Sequence, residues 1–504
     1  MKVRFIFLIF SALFFLFACS QNNSSSDITA SGEELSKVYC VACHQYPSPD
    51  LLDKATWRDY VLPRMGYLMG VYADTTIRKE LLAEVTGGSI LEQANIFPEK
   101  PNIDTAILNK INAFYLANAP EQLTLPVYQK PQMGLKHFKV RIPSYRLSPP
   151  STTLVKFSAS GGFYIGDANT KGLYQFDQKL NLQKAASLKE APVWIQEIRN
   201  FQFVTVMGSF SPTDVPSGLL YSLSDQLQII LPTLQRPVHS ELADFNGDKK
   251  GDILTCEFAK WTGGLAWWEN KGNAQYQKHI LRNKPGATKA YVRDFNNDQK
   301  PDVIALFGQG DEGIFIYYNE GNGVFREERV VQFPAAYGSS YFNLVDFDKD
   351  GDEDIIYTAG DNADYPPVMK PYHGIRVFLN NGNNQFTESF FYHLNGAYHA
   401  TARDFDNDGD LDIAAISFFP DYQNAPEQGF VYLENQGNNN FQPFTFPDVT
   451  KGRWIVMDAG DADQDGDIDL IIGSLAFEIV PANDLLNQWV QEGIPFILLE
   501  NTTK

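Results

Sequence analysis

A short acidic phrase occurs five times in the second half of this chain: DFNGDKKGDI from Asp244, DFNNDQKPDV from Asp294, DFDKDGDEDI from Asp346, DFDNDGDLDI from Asp404 and DADQDGDIDL from Asp461. Self-similarity at a period of about 50 to 60 residues constrains a fold strongly, because each copy must be one supersecondary unit packed on the next. A short alternating run such as Ala400 to Arg403 precedes each phrase, and a β-prone run such as Ile413 to Ile416 follows it. Beyond a variable stretch comes an aromatic strand ending in asparagine, as in Trp267 to Asn270, Tyr317 to Asn319, Phe378 to Asn380 and Tyr432 to Asn435, with Ile497 to Asn501 closing the last copy. Four short strands per unit, separated by regular turns, describe a propeller blade. Upstream, Phe163 to Phe176 and Phe203 to Ser222 read as two degenerate blades without the acidic phrase. Two and five give seven blades over residues 151–504.

These units resemble FG-GAP/VCBS repeats, and the resemblance covers nearly all of the C-terminal domain. Within each phrase the acidic positions 1, 3, 5 and 9 offer hard oxygen donors at a spacing that wraps Ca²⁺, with glycine at 6 allowing the sharp turn. An EF-hand would need glutamate at position 12 and flanking helices; after Asp404 that position is Ala415 and a strand follows. Three loops carry the full set: Asp346, Asp348, Asp350 and Asp354; Asp404, Asp406, Asp408 and Asp412; Asp461, Asp463, Asp465 and Asp469. Two are weaker, with asparagine at position 3 and no glycine at 6: Asp244, Asn246, Asp248 and Asp252; Asp294, Asn296, Asp298 and Asp302. About three to five Ca²⁺ ions are expected. The formal net charge of −20 argues against nucleic acid as a partner, and bound divalent ions would offset part of it.

The N-terminal part carries a different chemistry. Cys40-Val-Ala-Cys43-His44 is the attachment signature of a c-type haem: two thioethers to one porphyrin edge and an axial imidazole. Ser31-x-x-Glu34 is a capping box that starts a helix leading into it, and Asp104 to Leu116 repeats apolar residues at helical spacing. No histidine lies between His44 and His137, so Met65 and Met69 are the candidates for a sixth iron ligand, or the site stays open. The stretch from Tyr39 to Gly66 is similar to a compact mono-haem domain of exported bacterial proteins fused to repeats, which favours Met65. One covalent haem c is expected in a small all-α, cytochrome c-like domain over 31–122, followed by a linker over 123–150 and the all-β propeller.

Residues 1–19 read as an export signal. Lys2 and Arg4 precede an apolar run from Phe5 to Ala18, too short for a comfortable membrane span. Leu16-Phe-Ala-Cys19 resembles a bacterial lipobox, which implies lipidation of Cys19, and residues 20–30 have the polar composition of a tether. The expected location is the bacterial cell envelope, lipid-anchored and facing the periplasm or the cell surface. Cys256 stands alone, so no disulfide framework is expected.

Propellers commonly bind ligands at the central channel. Five residues before each loop's first Asp stand His239, Lys289, Tyr341 and His399; the last blade, read as shifted by an insertion, offers Arg453 and Trp454. No nucleophile–base pair accompanies this ring. The expected function is that of an exported, membrane-anchored c-type cytochrome that transfers electrons with a redox partner protein or small-molecule donor, its calcium-binding propeller serving as a docking scaffold. Two alternatives stand beside it: a haem-linked sugar or alcohol dehydrogenase with its substrate on the propeller, and a glycan- or protein-binding surface lipoprotein.

Overall fold

The computed structural model describes residues 29–198, 201–224, 226–363, 368–476 and 484–503. The signal, Cys19 and most of the tether lie outside them. Residues 29–122 are helical. The capping box forms as read: Ser31 Oγ accepts the Glu34 N–H, and the Glu34 carboxylate accepts the Ser31 N–H, starting the helix Gly32–Tyr39. A 3₁₀ turn, Cys40–Ala42, continues it. The helix Thr105–Asn118 starts at Asp104, whose carboxylate accepts the Ala106 N–H at 2.7 Å. It crosses the first helix at Gly32, where a Cβ would stand 2.3 Å from the Lys110 carbonyl oxygen. Leu35, Trp57, Leu108, Ile111 and Tyr115 fill the core between them.

The rest of the chain forms seven four-stranded antiparallel sheets, one of them extended by a fifth, parallel strand. Blade 3 shows the pattern, with strands Pro237–Ala243, Asp252–Glu257, Gly264–Gly272 and Gln275–Arg282 running from the axis outward. The second strand of each of the last five blades is buried at all six residues, because neighbouring blades cover both of its faces. That double burial explains why those runs read as continuously apolar and not alternating. The two degenerate blades, Thr152–Ser187 and Pro192–Leu234, take their places as expected.

Ring closure corrects the linker expectation for 123–150. Phe138–Arg141 pairs antiparallel with Phe496–Asn501 and supplies the outer strand of blade 7, whose other strands are Trp454–Gly460 and Asp469–Ser474. Gln132–Met133 lies parallel on the outer edge of blade 6. The physical reason is edge satisfaction: without residues 138–141 the strand Phe496–Asn501 would present a bare, apolar edge. Phe138 is buried between Phe405 and Tyr432, centroids 5.7 and 5.6 Å away.

Strand order gives the ring two distinct faces. The acidic turns join first to second strands on one face; the loops joining second to third strands, and one blade to the next, lie on the other. The helical part sits on this second face. Thr213 Oγ1 donates to the Val85 carbonyl at 3.0 Å, Tyr372 Oη to that of Leu51 at 2.8 Å, and the Asp214 N–H to that of Thr86 at 3.1 Å. Trp261 meets Phe97 edge-on at 5.2 Å and lies under the Arg64 guanidinium. Asp214 braces this loop by accepting the N–H groups of Trp261 and Thr262.

Candidate functional site

The seven innermost strands share one register. Each carries a β-bulge after its first residue, so Leu154, Trp194, His239, Lys289, Tyr341, His399 and Val456 occupy equivalent positions. Two residues on, facing the same side of the pleat, come Lys156, Gln196, Glu241, Tyr291, Asn343, Thr401 and Asp458. The structure brings four of the expected mouth residues together. Lys289 Nζ lies 2.9 Å from His239 Nε2. It also sits 3.6 Å above the Trp194 ring and 5.7 Å from the Tyr341 ring centre. Tyr341 and His399 pack ring to ring at 3.7 Å.

Arg453 and Trp454 do not join them. The last blade carries no insertion, and counting five residues back from Asp461 reaches Val456. Arg453 stacks on Phe418 at 3.7 Å, and the Trp454 indole donates to the Val449 carbonyl. Blade 7 instead reaches the axis through Asp458, which accepts from Lys156 Nζ at 3.0 Å and from the Phe157 N–H. Sequence reading missed the whole second ring; its signal was the polar residue three positions before each acidic phrase.

Burial sets the electrostatics of the first ring. His239 is 1% exposed and Lys289 3%. Desolvation drives the Lys289 ammonium down to about 7, opposed by Glu241. The same burial, with Lys289 and Lys156 adding repulsion, holds His239 well below the usual imidazole range and His399 at about 3. Both imidazoles are therefore neutral at physiological pH.

The acidic loops divide as their sequences suggest. Ligand oxygens of Asp346, Asp348 and Asp354 lie within 4.8 Å of one another, as do those of Asp404, Asp406 and Asp408, and of Asp461, Asp463 and Asp465. Asp350, Asp412 and Asp469 stand outside these triplets. In the 244 and 294 loops a lysine takes the countercharge: Lys250 binds Asp248 and Lys300 binds Asp298, each at 2.8 Å.

Position 9 has a second role that the motif did not disclose. Each of these aspartates accepts two backbone N–H groups, one from position 2 of its own loop and one from an asparagine at the end of the third strand or two residues before it. For Asp252 these are Phe245 and Asn270, for Asp302 Phe295 and Asn319, and for Asp354 Phe347 and Asn380. Asp412 takes Phe405 and Asn435, and Asp469 takes Ala462 and Asn501. The asparagine side chains donate back to the residue before position 9. The pairing of Asp at 9 with Asn at the strand end, present in all five copies, was the available signal.

In the helical part, Cys40 and Cys43 are unbridged, Cys40 half-buried and Cys43 exposed. His44 Nδ1 lies 2.8 Å from the Gln45 carbonyl oxygen. Met65, in the helix Leu62–Leu68, and Met69, at its C-cap, both border the same apolar cluster as Tyr39 and Cys40. Tyr115 Oη donates to the Pro47 carbonyl at 2.7 Å and lies 3.8 Å from Cys40 Sγ, tying the closing helix to the loop after the motif.

Fold and loops together define a seven-bladed β-propeller preceded by a small helical region, with FG-GAP-like repeats within blades 3 to 6. A family model described as the FG-GAP-like repeat matches residues 244–305, 294–357 and 368–415. No curated protein matches the chain. Similar solved structures include virginiamycin B lyase from Staphylococcus aureus, at 11% identity over 72% of this chain and 100% of that one, with TM-score 0.46. The N-terminal domain of Nup159 follows at 10% identity over 74% and 98%, with TM-score 0.42. BBS1N in complex with ARL6DN is similar at 9% identity over 72% and 97%, also at TM-score 0.42.

Proposed function

We propose that the chain is a c-type haem protein that transfers electrons, with one haem held covalently by Cys40 and Cys43 and the propeller acting as a calcium-stabilised docking scaffold. The observation that carries this reading is the convergence of Cys40, Tyr39, Met65 and Met69 at the border of one apolar cluster, none of them fully buried. That border suits a porphyrin, which needs an apolar bed and two thiols free to react. The Nδ1 contact of His44 with a backbone carbonyl fits the tautomer that leaves Nε2 as an iron ligand. A bound haem supplies one-electron exchange, with a potential tuned by its axial ligands; Met65 or Met69 would provide the second.

Calcium is proposed at the loops beginning at Asp346, Asp404 and Asp461. Asp346 Oδ1 and Asp404 Oδ1 are buried without a partner, as expected of oxygens that await a cation. Export, lipidation at Cys19 and a cell-envelope location belong to the same proposal and rest on the sequence. Among the described residues no helix is long and apolar enough to cross a membrane. Transfer is favoured over substrate oxidation on the propeller, because the helical part lies on one face of the ring while the polar axial residues lie inside it.

The test is a haem stain and visible spectrum of the protein produced in a host that matures c-type haem. Wild type should keep its haem through denaturation, and the Cys40→Ala, Cys43→Ala double variant should lose it. Retention of haem by that variant refutes the assignment. Met65→Ala and Met69→Ala should differ, only one of them abolishing the methionine–iron charge-transfer band.

A further inference from the structure

The axis of the ring is closed at one end and open at the other. On the face that carries the helical part, Phe210 from blade 2, Tyr398, Phe418 and Phe419 from blade 6, and Ile455 and Leu475 from blade 7 form a single apolar cluster. Blades 2 and 6 are not neighbours, so their loops can meet only over the axis; the cluster is a plug. Arg453 lies flat on Phe418, and its Nε donates to the Phe418 carbonyl. Directly beneath the plug lies the ring of Trp194, His239, Lys289, Tyr341 and His399. Next comes the second, all-polar ring, and its side chains regain solvent: Glu241 is 17% exposed, Asp458 18% and Lys156 34%. Access is therefore from the acidic-loop face.

Three buried polar atoms on one wall of this blind channel have no hydrogen-bond partner: Trp194 Nε1, His239 Nδ1 and Gln196 Oε1. Trp194 and His239 pack at 4.3 Å, and Gln196 shares its strand and pleat side with Trp194. Their remaining contacts are satisfied locally: Gln196 Nε2 donates to Glu241, and His239 Nε2 lies against Lys289 and Glu241. Leaving a buried donor or acceptor unmade costs about 1–3 kcal/mol each, so three on adjacent strands mark a place where something else supplies the partners.

The chemistry of that partner follows from the atoms. The indole Nε1–H needs an acceptor, Gln196 Oε1 needs a donor, and the neutral imidazole nitrogen takes either role. A carboxylate or a fully ionised phosphate ester offers acceptors only and would leave Gln196 unpaired. Hydroxyl groups offer both. Formal charge within the two rings balances, with Lys156 and Lys289 against Glu241 and Asp458, and the acidic loops around the opening disfavour anions. We propose that the axial channel, between its aromatic plug and the acidic-loop face, binds a small neutral polyhydroxy compound of the sugar or polyol class, with Trp194, Gln196 and His239 as its recognition groups. The site is independent of the haem reading.

The experiment titrates the full-length protein with D-glucose, D-galactose, myo-inositol and glycerol, and with D-gluconate as a charged counterpart, following tryptophan fluorescence and heat of binding. At least one neutral probe should bind and bind better than gluconate. Trp194→Phe keeps the ring and removes the N–H, and should weaken that probe about tenfold. Gln196→Met should do the same, whereas Ile280→Ser on the exposed outermost strand of blade 3 should not. Should Trp194→Phe fail to fold, Gln196→Met carries the test. No binding by any neutral probe at millimolar concentration, tighter binding of gluconate, or a crystal soaked in the best probe that shows only water on the three atoms overturns the proposal.

Discussion

Replacing Asp302 by alanine separates two roles that the acidic loops combine. Asp302 closes a loop whose Asp298 is already paired with Lys300, so this copy tests the backbone role without a cation cluster. Its carboxylate accepts the Phe295 N–H at 3.0 Å and the Asn319 N–H at 2.7 Å. Alanine leaves both donors unpaired, one fully and one partly buried, at about 1–3 kcal/mol each, and so should destabilise the propeller by about 2–6 kcal/mol. Asp404→Ala removes a ligand oxygen from a cation triplet and leaves the position 9 bonds of Asp412 in place. The assay is urea unfolding followed by tryptophan fluorescence, with excess Ca²⁺ and with chelator. Asp302→Ala should lower the midpoint by the same amount in both conditions. Asp404→Ala should lower it far more with Ca²⁺ present than in chelator, where it forfeits only the exposed Gly409 N–H bond, because the wild type itself loses stability on chelation. A loss below about 0.5 kcal/mol for Asp302→Ala would refute the structural role. An equal effect of both substitutions in chelator would refute the division of labour.

Three further outcomes are expected. Glu312 is buried and accepts from Ser339 N and Oγ, yet desolvation raises its carboxyl from 4.5 to about 7. The folded state therefore holds a proton that the unfolded chain releases, and stability should fall by about 3 kcal/mol as pH rises from about 4.5 to 7. Glu312→Gln should flatten that part of the profile, and an unchanged slope would show that another group causes it. Phe138→Ala empties a site in the largest core cluster and should cost about 3–5 kcal/mol by denaturation; a surface-like effect would mean that the closing strand is dispensable. Trp261→Ala removes the edge contact with Phe97 and the Arg64 cation–π contact, about 1–2.5 kcal/mol together. It should speed proteolysis between the helical part and the propeller, and unaltered cleavage would place the binding energy elsewhere.

What the sequence disclosed follows from what repeats. The acidic phrases recur at intervals of 50 to 58 residues with one internal pattern, so five blades and their loops were legible, and strand periodicity was enough to find two more. The closing strand was not, because Phe138 to Arg141 is four residues long, carries no acidic phrase and is defined only by a partner at the far end of the chain. The expectation for Arg453 and Trp454 rests on an insertion, whereas the bulge that follows the first residue of every inner strand keeps Val456 in register. Lys289 and His239 were found by position, but their meeting at 2.9 Å depends on the closing angle of the ring, which no single blade encodes. The plug was invisible for the same reason, since its residues come from blades that are not sequence neighbours.

The strand at Phe138 to Arg141 also fixes an order of events. Arg141 and Glu500 form an ion pair across 359 positions of chain. Closing so long a loop, compared with one of blade length, costs only about 1.7 kcal/mol more in chain entropy, yet contacts of such sequence separation form slowly. The helical part and the early blades can assemble while the circle is still an open arc, and the latch engages last. Until it does, blade 7 lacks its outer strand and the arc offers a bare edge to any other open copy. Exchange of that latch between two molecules would satisfy every strand just as well, so domain-swapped dimers are the misassembly to look for when this chain is refolded at high concentration.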